Sequence, residues 1–242
     1  MKALIIDDER LARKELNSLL EDIKEITVVG EAVNVDDAYQ RIIELKPDLI
    51  FLDIQMPGKT GFDLLEMLDS VPSVIFTTAY DEYALQAFEV NALDYLLKPI
   101  QKERLQESIK KLISNTPEPQ QSNTENLEAQ KLQAGDQVFV KDGDRCWFVR
   151  LSEVRLFESE GNYIKVYFDG NRPMIHKSLN ALDEKLDDRS FFRASRKHII
   201  NLSWVEKIEP WFNGGLMVQL KGGQNVEVSR RQAARFKEMM SL

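Results

Sequence analysis

Cysteine is nearly absent. Cys146 stands alone, so no intramolecular disulfide braces the fold. Histidine is as scarce: His176 and His198 are the only two, and their separation matches no zinc-ligand spacing. Long apolar runs are missing too, since none approaches the ~20 residues needed to cross a bilayer. The start, Met1-Lys2-Ala3-Leu4-Ile5-Ile6, passes at once into Asp7-Asp8-Glu9. A signal peptide needs a longer apolar region and a small-residue cleavage pattern. A cytoplasmic chain with no membrane partner is expected. What is plentiful is hydrophobic residues, 43% of 242, enough to fill real cores. The length suggests two ordinary domains, at roughly 150 residues each.

Net charge is −8, which at first argues against nucleic acid, but the charge is unevenly spread. Residues 1–115 hold 13 basic residues against 22 acidic (−9), 116–135 hold 1 against 3 (−2), and 136–242 hold 18 against 15 (+3). The acidity belongs to the front half. A mildly basic back half has room for a local cationic face.

The front half alternates β-branched runs with amphipathic stretches. Lys2–Ile6, Ile26–Gly30, Asp48–Leu52, Ser73–Thr77 and Leu93–Leu97 read as strands, mostly apolar on both faces. Between them, apolar residues recur at helical spacing, as in Ala12, Leu16, Leu19, Leu20 and Ile23. Five strands alternating with five helices predict an α/β doubly wound parallel sheet covered on both faces. That domain spans 1–114. Residues 115–135, including Pro117-Glu118-Pro119-Gln120-Gln121-Ser122-Asn123-Thr124, have little to anchor a core and read as a flexible linker, in which Leu127 and Leu132 are the docking candidates. Residues 136–242 read as a mainly antiparallel β domain. Its strand candidates are punctuated by Asp142-Gly143, Asp169-Gly170, Asn213-Gly214 and Gly222-Gly223, pairs favoured in hairpin loops. Helices are expected only over Leu179–Leu186, in a short piece near Lys197–Asn201, and over Arg230–Met240.

In open parallel sheets, ligands sit beyond the carboxyl ends of the strands. The residues placed there are Asp7 and Asp8 after the first strand, Asp53 closing the third, Thr77 and Thr78 closing the fourth, and Lys98 closing the fifth. An isolated Asp at a strand end is ordinarily a helix cap, and a lone Lys before Pro ordinarily means nothing. All of them at the correct ends of one sheet form a joint pattern. Converging carboxylates repel and call for a hard cation such as Mg²⁺. Asp7 or Asp8, Asp53 and the backbone carbonyl of Gln55 are its expected ligands. The chemistry implied is attack of the Asp53 carboxylate on phosphorus, giving an acyl phosphate whose oxygens meet Lys98 and Thr78.

Residues 1–113 resemble the receiver domains of two-component response regulators. The resemblance rests on Ile6-Asp7-Asp8-Glu9, Leu52-Asp53-Ile54-Gln55-Met56-Pro57, Thr77-Thr78-Ala79 and Asp94-Tyr95-Leu96-Leu97-Lys98-Pro99. It implies Asp53 as phosphoacceptor, Asp7 and Asp8 as Mg²⁺ acids, and Thr78, just before Ala79, as the switch hydroxyl. It further implies Tyr95 as the switch aromatic, a cis Lys98–Pro99 bond, and a sensor histidine kinase as phosphodonor.

The back half has no nucleophile elbow, no phosphate-binding Gly-rich loop and no metal-binding His pair. It has cationic loops: Arg193-Ala194-Ser195-Arg196-Lys197-His198 and Ser229-Arg230-Arg231. Short Lys/Arg runs are usually just solvated, but rigid strands on either side present loops at fixed spacing. From about Gln137 onward the chain resembles the LytTR family of DNA-binding domains, which read duplex DNA with strand-supported loops. The resembling segments are Leu156-Phe157-Glu158-Ser159-Glu160-Gly161-Asn162-Tyr163, Lys177-Ser178-Leu179, Phe191 to Lys197 with Ile199-Ile200-Asn201-Leu202, and Val228-Ser229-Arg230-Arg231. By that resemblance Asn162, Arg196, Lys197 and Arg230 contact double-stranded DNA. Many members have His where Ser195 stands and Ser where Lys197 stands, which implies a different target sequence.

The two resemblances together imply a transcriptional regulator that is not an enzyme. Phosphorylation is expected to drive homodimerisation through the fourth helix, fifth strand and fifth helix of the receiver. Two other readings compete. A haloacid-dehalogenase-like phosphatase would want a second Asp two residues after the nucleophile, where Gln55 stands. A β domain that binds protein or RNA instead of duplex DNA is separable by competition with salt and unrelated RNA.

Overall fold

The computed structural model describes residues 1–79, 94–115, 131–143 and 145–240. The chain divides into two compact units, one of Met1–Glu125 with Gly143–Phe148, the other of Asn126–Asp142 with Val149–Leu242.

In the first unit five strands, β1 (Lys2–Ile6), β2 (Thr27–Ala32), β3 (Leu49–Asp53), β4 (Ser73–Thr78) and β5 (Asp94–Leu97), pair in the order β2-β1-β3-β4-β5. Every pairing is parallel. The central strand β3 is buried along its whole length, which is why its sequence Leu-Ile-Phe-Leu-Asp lacks the polar alternation of a half-exposed strand. Helices α1 (Arg10–Glu21), α2 (Val35–Leu45), α3 (Gly61–Met67) and α4 (Lys102–Asn115) accompany the sheet. Asn34 caps α2 by accepting the Asp37 N–H, and Thr60 and Asp63 form a reciprocal capping box on α3. Apolar stripes of α1 and α4, Leu16, Leu20, Leu105, Ile109 and Leu112, close over Ile5, Phe51 and Ile75. Each such side chain contributes about 1.5–3 kcal/mol on burial. The helix expected between β4 and β5 lies outside the described residues.

The second unit is mainly antiparallel. Strands β8 (Leu156–Glu160), β9 (Tyr163–Tyr167), β10 (Met174–Ile175), β11 (Phe191–Arg193) and β12 (His198–Asn201) form a sheet ordered β10-β9-β8-β12-β11. A three-stranded sheet joins β13 (Val205–Pro210), β14 (Leu216–Leu220) and β15 (Asn225–Val228). Strand β6 (Gln137–Asp142) also belongs to this unit, whereas β7 (Arg145–Arg150) is divided between the two. Helices α5 (Leu179–Lys185) and α6 (Arg230–Met239) complete it. Its core sets Phe192, Ile200, Val218 and Val228 against Ala233 and Phe236 of α6. The helical piece expected near Lys197–Asn201 is instead strand β12, followed by a 3-10 turn over Leu202–Trp204. Ile199 and Ile200 are both fully buried, and β12 is paired on both edges, by β8 and β11. Two adjacent β-branched residues suit such a doubly covered strand. Leu132, within the stretch read as linker, bridges Leu186 and is buried. Among the described residues no helix is long and apolar enough to cross a membrane.

Candidate functional site

Because β1 and β3 are neighbours, their carboxyl ends deliver Asp7, Asp8 and Asp53 to one place. Each offers a carboxylate oxygen, and these oxygens all lie within 4.8 Å of one another. Asp7 and Asp53 are buried and Asp8 is exposed. Lys98, just past β5, reaches back over the end of β4, its Nζ 2.7 Å from both Asp7 Oδ2 and Asp53 Oδ2. The Lys98 N–H donates to the Thr78 carbonyl at 2.8 Å, and the Lys98–Pro99 peptide is cis.

Burial pushes the Asp53 carboxyl up, with the Asp7 charge adding, and outweighs the downward pull of Lys98 and of the Gln55 N–H that donates to Asp53 Oδ1 at 3.1 Å. Burial works against the Lys98 charge as well, yet its bonds to Asp53 and Asp7 hold the ammonium above the ordinary lysine value. Three carboxylates facing one ammonium leave surplus negative charge, and an all-oxygen set of this kind fits a hard divalent cation. Gln55 sits on the exposed turn two residues beyond Asp53. Thr78 is fully buried at the end of β4, and its neighbour Thr77 stands in register with Asp53. Tyr95, in register with Phe76 on β5, is buried to 9% exposure.

Two features of this site escape a reading by strand ends alone. Arg13 Nη1 donates to the backbone carbonyls of Asp7 at 2.8 Å and Asp8 at 3.2 Å, while its Nε meets Glu31 Oε2 at 2.9 Å. The guanidinium thus fastens the turn that carries both acids. Its signal in the sequence is a cation in the buried 13-16-20 stripe of α1. The other is Gly61, packed against the Asp53 backbone.

In the second unit, the β11–β12 loop carries Arg196 and Lys197, both exposed. Arg193 holds the loop in shape: its Nε donates to Ser195 O at 2.7 Å, Nη1 to Leu179 O at 2.8 Å, and Nη2 to Arg196 O at 2.9 Å and Asn180 Oδ1 at 3.1 Å. Beneath it Ser195 Oγ lies 3.2 Å from His198 Nδ1, and His198 Nε2 lies 3.6 Å from Glu158 Oε1. The Tyr167 hydroxyl donates to Glu158 Oε2. Burial, then that carboxylate, pushes the Tyr167 phenol up to about 12.

A cleft of about 550 Å³ brings Arg196 together with Asn162, Lys177 and Ser178. Two further clefts pair Arg196 with Arg231, and one of these also includes Lys197. Arg230 points elsewhere: its side chain runs past Gly214, with Cγ 3.7 Å from where a Cβ would stand. Arg196 therefore shares one cleft with Asn162 and others with Lys197 and Arg231, while Arg230 lines none of these three and lies against Gly214.

Comparison with known proteins follows the same division. Residues 3–110 match the response regulator receiver domain family, and residues 144–241 match the LytTr DNA-binding domain family. The sensory transduction protein LytT of Enterococcus faecalis is 36% identical over the full length of both chains, and that of Bacillus subtilis 32% identical over the full length of both. A response regulatory protein of Vibrio cholerae is 38% identical, covering 99% of this chain and 98% of its own. The crystal structure of the response regulatory domain of mrkE from Klebsiella pneumoniae is 36% identical, covering 47% of this chain and 96% of that one with a TM-score of 0.43. The chain belongs to the two-component response regulators that join a receiver domain to a LytTR DNA-binding domain.

Proposed function

We propose that Asp53 accepts a phosphoryl group from the phosphohistidine of a sensor histidine kinase, and that its phosphorylation controls DNA binding. The observation that carries this reading is the Lys98 ammonium 2.7 Å from Asp53 Oδ2, with Asp7 and Asp8 beside it. An Asp53 oxygen attacks phosphorus, the P–N bond breaks, and its electron pair leaves with the imidazole. Lys98, already placed, keeps its charge against the phosphoryl oxygens, and Thr78 binds another of them. Asp7, Asp8, Asp53 and the Gln55 carbonyl would hold Mg²⁺, which when bound neutralises charge on the phosphoryl group. Tyr95 and Thr78 act as the switch pair, and the surface around β5 then dimerises. Treating acetyl phosphate-labelled protein with acid and base tests the first step: native chain carries an acid-stable, base-labile phosphate, and Asp53→Asn carries none. Equal labelling of the two sinks the assignment.

In this reading residues 1–114 are the phosphoacceptor domain and 136–242 the DNA-binding domain, joined by 115–135. Asn162, Arg196, Lys197 and Arg230 contact duplex DNA, with Arg231 added from its place beside Arg196. Arg196→Ala weakens specific binding by about 1–3 kcal/mol if it reads a base. Loss of affinity that is uniform across sequences would make it a phosphate contact instead.

A further inference from the structure

Most apolar side chains of the second unit are buried, but two large aromatics project together from the β13–β14 turn. Trp211 is 40% exposed and Phe212 74%. Their rings meet edge to face at 4.7 Å. The turn that presents them is well defined. The Trp211 N–H donates to Gly215 O at 2.9 Å and the Gly215 N–H to Phe212 O at 3.1 Å, while Asn213 and Gly214 take the left-handed φ values of 54° and 78°. A Cβ on Gly215 would come within 2.9 Å of the Val228 carbonyl, so the turn lies close against the end of β15. Two aromatic rings held against each other on a solvent-facing turn form a rigid apolar patch, which a single exposed side chain does not.

The place of this turn indicates what it meets. The Ser229 N–H donates to Ala194 O at 3.0 Å, tying the start of α6 to the loop that carries Arg196 and Lys197. Val228, one residue earlier, pairs with Leu216 at the foot of the aromatic turn. Arg230, one residue later, lays its stem along Gly214. The Arg196 loop, Arg231, Arg230 and the aromatic pair therefore follow one another along one end of the domain. Cations next to exposed aromatics suit a duplex backbone, where guanidinium groups meet phosphates and the apolar ring faces cover the apolar edges of the deoxyriboses.

We propose that Trp211 and Phe212 form a second DNA contact, packing against the sugar–phosphate backbone of duplex DNA beyond the base pairs met by Arg196. This rests on the reading that the Arg196 face meets the duplex. The aromatic contact widens the footprint and adds affinity with little dependence on base identity.

The test uses the full chain and a duplex selected from random-sequence DNA by the native protein, in two lengths. One keeps its flanks; the other is trimmed to the bases that become hypersensitive to cleavage in a footprint of Arg196→Ala. Trp211→Ala/Phe212→Ala is expected to bind the long duplex about tenfold more weakly and the trimmed duplex as the native chain does. Equal binding to the long duplex overturns the proposal, and so does an equal loss on both lengths, which would mean a folding defect. Sedimentation without DNA covers the other occupant. If the native chain self-associates and the double variant does not, the aromatic pair is a contact between copies and the proposal is wrong. If Arg196→Ala also binds normally, the reading of the whole face has failed, an outcome distinct from failure of the aromatic contact alone.

Discussion

Gly61 stands directly against the backbone of Asp53: a Cβ added there would lie 2.5 Å from the Asp53 carbonyl oxygen and 3.3 Å from its carbonyl carbon. The Gly61 N–H also donates to Ile54 O at 2.8 Å, so the first residue of α3 is fastened to the segment leaving β3. The glycine is needed for close approach.

Gly61→Ala is therefore expected to push the end of β3 away from α3. Overpacking of this kind costs about 1–3 kcal/mol. The displacement falls on the proposed phosphoacceptor, so acetyl phosphate labelling of Asp53 should slow along with the loss of thermal stability. An alanine variant that melts and labels like the native chain would show that the backbone yields without cost.

Arg13 serves two carbonyls and one carboxylate at once. Arg13→Ala leaves the Asp7 and Asp8 carbonyls without that donor, and the buried bond to Asp7 is the costly one to lose, at about 1–3 kcal/mol for a buried unsatisfied group. Arg13→Lys is not expected to restore the native state, since one ammonium lacks the planar fork that spans the three acceptors. Urea unfolding, together with Mg²⁺ titration followed by intrinsic fluorescence, checks both effects. Native-like Mg²⁺ affinity in Arg13→Ala would separate this residue from the acidic site.

Asp94 gathers Ser108 Oγ at 2.8 Å, Lys111 Nζ at 3.0 Å and Arg104 Nη2 at 3.3 Å around a side chain only 8% exposed. Burial opposes its charge, but the bonds from Ser108 and the Tyr95 N–H, with Lys111, outweigh it and hold the carboxyl below its ordinary value of 3.8. A carboxyl depressed by folding contributes stability that is present above the unfolded value and fades as pH falls through the folded one. The gap in urea midpoint between native chain and Asp94→Asn should thus be full at neutral pH and shrink below pH 3.8. A gap that widens in acid would contradict the sign.

Asn201 is 1% exposed with its amide fully engaged. Its Nδ2 donates to Leu151 O at 3.3 Å and Val154 O at 2.9 Å, and its Oδ1 accepts from Ser203 N–H at 3.0 Å and Ser203 Oγ at 2.7 Å. Asn201→Asp removes both donors and buries a charge, so it should destabilise the second unit more than Asn201→Ala, which itself costs about 1–3 kcal/mol. DNA affinity per folded molecule should stay native, because Asn201 lies in the scaffold. A reversed stability order would mean water enters the site.

Much of this protein is legible in the chain alone. The strand and helix periods, the apolar runs of β1, β3 and β4, and the acids after them are local patterns, and a parallel sheet turns that local order into a shared site. Asp7, Asp8, Asp53 and Lys98 are identifiable because each ends or follows a strand whose boundary the residues themselves mark. The β12 segment reads as partly helical in sequence, since four residues hold too little period to separate the two states, and pairing with β8 and β11 decides for a strand.

Tertiary structure alone decided which cations face which neighbours. Arg230 and Arg231 are adjacent in sequence at the start of α6, yet one lies along Gly214 and the other lines the Arg196 clefts. Successive helical residues point about 100° apart, so adjacency in sequence separates them in space. Arg13 joined the acidic turn, and Gly61 the Asp53 backbone, only once helices packed on the sheet. Short-range chemistry sets the elements and their ends, whereas contacts between residues far apart in sequence depend on how those elements pack.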